Sequence, residues 1–82
     1  MSHVPHDLHE EFPQDVEVLH ALKTGSSHFV GLADRYHAVN REIHRIDSGV
    51  EAASDDHAEQ LKRQRLAMLD EISAMIAKAK AA

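Results

Sequence analysis

Along the middle of the chain, Phe29, Leu32, Tyr36, Val39, Ile43 and Ile46 follow one another at intervals of 3, 4, 3, 4 and 3. That alternation is a heptad seam, and it predicts a helix over about 27–47 with one apolar stripe. Ser26 or Ser27 can cap its start through a hydroxyl. Asp47-Ser48-Gly49 supplies a stop with a glycine able to take the left-handed conformation. Only the stripe is apolar, so the helix needs a partner.

The period lapses through Ser48–Ser54 and then resumes in Ala58, Leu61, Met68, Ile72, Met75 and Ala79, with Arg65 as the one break. This predicts a second helix over about 55–79. Ser54 is placed as its cap, Asp55, Asp56 and Glu59 in its first turn, and Lys78 and Lys80 in its last, all favourable with the helix dipole. Leu66, Leu69 and Ile76 widen the stripe on one flank, which calls for a further neighbour. A seven-residue connection between two helices with matching seams makes an antiparallel hairpin the economical topology. Its expected core is Phe29, Leu32, Tyr36, Val39, Ile43, Ile46, Leu61, Met68 and Ile72.

Upstream, Phe12, Val16, Leu19 and Leu22 recur at helical spacing. Pro13 suits a first turn and Lys23-Thr24-Gly25 a stop, which predicts a short helix over about 13–23. It should fold over the flank at Leu66, Leu69 and Ile76, or over a second copy of the chain. The expectation is therefore all-α: a short N-terminal helix and a long, coiled-coil-like antiparallel hairpin in a single domain over 12–80, preceded by a flexible His-rich tail over 1–11.

Composition narrows the function. The 82 residues are 43% apolar with three rings, Phe12, Phe29 and Tyr36, so a small core without walls for a deep substrate pocket is expected. That makes a non-enzymatic protein the expectation, and the marginal core makes self-association into a homodimer or larger bundle the companion expectation. With no cysteine there is no disulfide framework and no thiolate metal site. No leader-like or spanning apolar run stands in the chain, so a soluble, cytoplasmic location without membrane contact is expected. The formal charge of −5 opposes non-specific nucleic-acid coating, although protonation of all eight His would carry it to +3.

Several side-chain groups invite chemistry, and each has a plainer reading. His3, His6 and His9 stand three apart and could share a Zn²⁺, Ni²⁺ or Cu²⁺ ion, but Pro5 interrupts them and no orienting partner is evident. His37, Arg41 and His44 share one face of the middle helix and could meet a phosphate or an acidic helix. Asp34, Glu42 and Asp47 balance that face, so a solvated surface is the simpler reading. Arg41, Arg45, Lys62, Arg63 and Arg65 could contact RNA, yet no aromatic interleaves with them and Glu59 stands in ion-pair order before Arg63. Asp55-Asp56-His57 coincides with a predicted helix start, where carboxylates belong for electrostatic reasons. No phosphate loop, dinucleotide fingerprint, nucleophile elbow or zinc-protease spacing is present, and no resident cofactor is expected.

Phe12-Pro13, Leu22-Lys23, His28-Phe29-x-x-Leu32, Tyr36-His37-x-Val39-Asn40-x-x-Ile43-x-Arg45 and Arg65-Leu66-x-x-x-Asp70-Glu71-Ile72 occur in that order. In this the chain resembles the YdcH family of small bacterial proteins of unknown function, in its alphaproteobacterial form, over most of residues 8–78. The resemblance implies a cytoplasmic helical hairpin with a short N-terminal helix, and it carries no activity, ligand or residue role. Leu69 stands where that family usually places Lys, which enlarges the apolar flank. The functional expectation is a helical interaction module: Leu66, Leu69 and Ile76 contact a second copy or an unidentified protein, with metal binding by the His run and RNA association as the rivals.

Overall fold

The computed structural model describes residues 6–82, and among them the chain is all-α, with no strand. Four helices follow in order: α1, Leu8–Glu11; α2, Val16–Gly25; α3, Ser27–Asp47; and α4, Asp55–Ala81. No helix among the described residues is long and apolar enough to cross a membrane.

Each junction has a local cause. Ser26 alone separates α2 from α3 and serves both: its N–H donates to the Leu22 carbonyl, while its Oγ accepts from the Phe29 N–H at 3.1 Å. Its extended backbone between two helical stretches forces the sharp change of direction. At the far end of α3, Gly49 takes φ +82°, so its N–H reaches the Ile46 carbonyl and the Val50 N–H the Arg45 carbonyl. This is the paired-bond ending that a left-handed residue makes possible. Ser54 then caps α4, its hydroxyl accepting from the His57 N–H at 3.1 Å.

The N-terminal third departs from expectation. Pro13 lies in a turn, with the Asp15 N–H bonded to the Phe12 carbonyl, so α2 begins at Val16, three residues later than the spacing predicts, and continues through Gly25. Asp15 occupies the cap position but its side chain does not cap; its carboxylate instead accepts from Lys80 Nζ at 3.0 Å, tying the start of α2 to the last turn of α4. The lower bound of 12 set for the domain also shifts. Leu8, assigned to the tail by its sequence surroundings, is buried in the core, because α1 folds it back against the helices that follow.

Cross-helix contacts set α3 and α4 antiparallel: His57 pairs with Glu42, Arg65 with Asn40, and His28 with Glu71. One connected core contains Leu8, Leu19, Phe29, Leu32, Tyr36, Ile72 and Ile76, with Phe12, Leu22, Met68, Leu69 and Met75 packed around it. Tyr36 and Ile72 are fully enclosed. Ile43 and Leu61 are buried as well, but lie outside that cluster, beyond Asn40 and Arg65 toward the interhelical turn. Val39 and Ile46 are half-buried at the margins of the seam.

Candidate functional site

A groove of about 500 Å³ lies between α2 and α3, closed at one end by α1. Its floor is made by Leu8, Leu19 and Phe29, all buried, and its walls by Val16, Val30 and Ala33. The geometry follows from the hinge. Two amphipathic helices joined by one residue diverge from Ser26, and each turns its apolar side inward, so the space widens away from the hinge. Val16 remains 43% exposed on its lip. Polar groups ring the opening: Asp7, Glu17, Asp34, Lys23, His9, His20 and His37.

Tyr36 anchors the segment that closes the groove. Its hydroxyl donates to the backbone carbonyl of His6, thirty residues earlier, and its ring meets that of His37 edge-on at 5.8 Å. Burial pushes the Tyr36 phenol up to about 12. The Glu11 carboxylate adds to the rise, Arg65 opposes it, and Asp7 adds a smaller push. A phenol held neutral in this way remains a hydrogen-bond donor across the whole physiological range.

The residues singled out by chemistry are dispersed. His3 lies outside the described residues. His6 Nδ1 bonds to Glu11 Oε1 at 3.0 Å, while His9 is exposed on the groove rim. No metal-holding group of three or more His, Cys, Asp or Glu forms among the described residues. The basic set is drawn into local contacts: Arg45 with Glu51, Lys62 with Asp47, Arg63 with Glu59, and Arg65 with Asn40. Arg41 stays exposed on α3, with His44 half-buried. Asp55 and Asp56 stand in the first turn of α4, as the electrostatic reading of Asp55-Asp56-His57 has it, and His57 reaches Glu42 at 3.0 Å.

The flank of α4 is also redistributed. Of its three widening residues, Ile76 is buried and Leu69 half-buried against the core, so neither offers a free surface; only Leu66, at 61% exposed, does. The cause is that Phe12 packs onto the core beside Ile76, and Phe12 and Asp15 adjoin Ser73, Ala77 and Lys80 on that side of α4.

Asn40 is the buried polar residue that sequence reasoning passed over. It is 3% exposed and accepts from Arg65 Nη1 at 3.1 Å. The signal was present. Asn40 stands four residues after Tyr36 on the inward side of one helix, and Arg65 is the lone break in the seam of the other.

With this geometry in view, comparison with known families gives a match to the model described as Protein of unknown function (DUF465), which aligns with residues 29–76. The chain belongs to this family. YdcH-like small helical proteins belong to DUF465 as well, in agreement with the resemblance carried by the motifs. No curated protein and no solved structure matches the chain significantly. The DUF465 match begins at Phe29, so it spans most of α3 and α4, while α1 and α2, which build one side of the groove, lie outside it.

Proposed function

We propose that this DUF465 chain is a cytoplasmic, non-enzymatic helical interaction module, which self-associates through α4 and docks on another protein. The carrying observation is the incomplete cover of one α4 flank. The chain's own N-terminal segment lies over the Ile76 end, whereas Leu66, three residues before the half-buried Leu69, keeps 61% of its surface in water. A second copy laid along α4 at Leu66 extends the same apolar stripe and removes that surface from solvent, which is the favourable term in helix association. The dispersal of the titratable side chains into local pairs agrees with a structural and adhesive use of them.

Sedimentation equilibrium on the full chain and on Leu66→Lys tests self-association. A dimer or larger species in the natural chain that becomes a monomer of unchanged helix content in the variant supports it. A monomer at every concentration, or an unchanged mass in the variant, overturns it. Docking is tested by affinity capture at native level from the host, split into untreated, nuclease-treated and chelator-treated portions. A stoichiometric protein surviving both treatments supports docking. RNA recovery, or a partner lost with nuclease or metal, replaces docking with the RNA or metal reading.

A further inference from the structure

We propose that the groove between α2 and α3 is a docking site for a basic amphipathic helix of a partner protein. The proposal rests on the interaction-module reading and names the chemistry of the partner and the place where it binds.

Size and shape come first. The ten residues of α2 span about 15 Å at the rise of an α-helix, so the groove beside it accommodates about three turns of a docked helix. Such a helix presents apolar anchors every three or four residues along one side, the pattern by which helices bind hydrophobic grooves. A volume of about 500 Å³ over an apolar floor suits a few such side chains. Val16 is one of the exposed large apolar residues, and a helix seated between Val16 and Val30 would take it out of water.

Charge selects the occupant. Asp7, Glu17 and Asp34 stand on the rim from the α1 side, from α2 and from α3 respectively, and Lys23 is the one fixed cation among the lining residues. None of the three carboxylates has an ion-pair partner among the described residues, whereas Asp15 and Glu11 nearby are engaged by Lys80 and His6. A helix whose apolar side is bordered by Lys and Arg therefore meets acid on every wall, while an acidic one meets repulsion there. A second copy of this chain complements the rim less well: the cations beside Leu66 on α4, Lys62 and Arg63, already lie near Asp47 and Glu59.

The test is a nuclear magnetic resonance titration of the isotope-labelled full chain with two synthetic peptides of about 14 residues, roughly four helical turns. One is an amphipathic sequence of Leu and Lys; the other carries Glu at every Lys. The expected result is saturable shifts from the Leu/Lys peptide centred on Val16, Leu19, Val30 and Ala33, and none from the Leu/Glu peptide. The double variant Glu17→Lys with Asp34→Lys, two exposed positions, should keep its melting temperature and bind the Leu/Lys peptide roughly tenfold more weakly. Equal binding of both peptides, shifts centred elsewhere, or no saturable shift overturns the proposal. Repeating the titration on Leu66→Lys separates the readings. Groove binding retained in that variant upholds the site whatever the fate of self-association, and loss of self-association alone leaves the groove proposal standing.

Discussion

Arg65 reaches across the hairpin and donates from Nη1 to Oδ1 of Asn40, 3.1 Å away, joining the one seam break of α4 to the buried polar residue of α3. The pair is a polar layer in an apolar seam, with Ile43 and Leu61 on the turn side and Tyr36 and Ile72 on the other. Such a layer fixes register, because sliding either helix by a turn would bury one member without the other.

Removing Arg65 should therefore cost more than its partial exposure suggests. For Arg65→Ala, a loss of about 1–3 kcal/mol is expected, since a buried amide oxygen forfeits its cross-helix donor. The double variant Asn40→Leu with Arg65→Leu should recover most of that loss while broadening the amide spectrum, as register is less well specified. Urea denaturation of Arg65→Ala and of the double variant checks the stabilities, and the amide nuclear magnetic resonance spectrum of the double variant checks the register.

Ile72 and Leu66 lie on the same helix, yet truncation should separate them sharply. Ile72 is fully enclosed, so Ile72→Ala should cost about 2–5 kcal/mol from lost burial and the cavity left behind. Leu66→Ala should change monomer stability by no more than about 0.5 kcal/mol. Thermal melts at low protein concentration, where association contributes least, give the comparison.

The Tyr36 phenol should make stability fall at high pH. Its folded pKa of about 12 stands above the ordinary value of 10.0, because burial disfavours the phenolate. A raised folded pKa means that the unfolded chain gives up the proton first. The contribution is therefore complete below pH 10 and is lost as pH rises from 10 towards 12. Tyr36→Phe should flatten that slope and cost about 0.5–1.5 kcal/mol at neutral pH through the missing bond to the His6 carbonyl. Denaturant midpoints measured from pH 7 upward test both effects.

Two backbone positions should respond to small changes for different reasons. Ser26→Ala removes the hydroxyl that accepts from Phe29 and should cost about 1 kcal/mol, whereas Ser26→Gly should cost only a few tenths. Gly49→Ala places a side chain in open space, so its cost, about 1 kcal/mol, comes from the left-handed backbone alone. Chemical denaturation of the three variants distinguishes the causes.

The sequence by itself determined the helical class, because heptad spacing makes a stripe only on a helix, and it placed Ser54 and Gly49 where an α-helix needs a cap and a left-handed residue. It did not determine the N-terminal third. Pro13 lies instead in the turn closed by the Asp15 N–H on the Phe12 carbonyl, and the Asp15 carboxylate meets Lys80, sixty-five residues away. The burial of Leu8, the cover over Ile76, the meeting of Asn40 with Arg65 and the groove opened at Ser26 are relationships between distant segments. A periodic pattern records which side of a helix is apolar and leaves open which neighbour covers it. That choice is made by packing, so only the tertiary structure decided which part of the α4 flank and of the α2–α3 groove stays open to a partner.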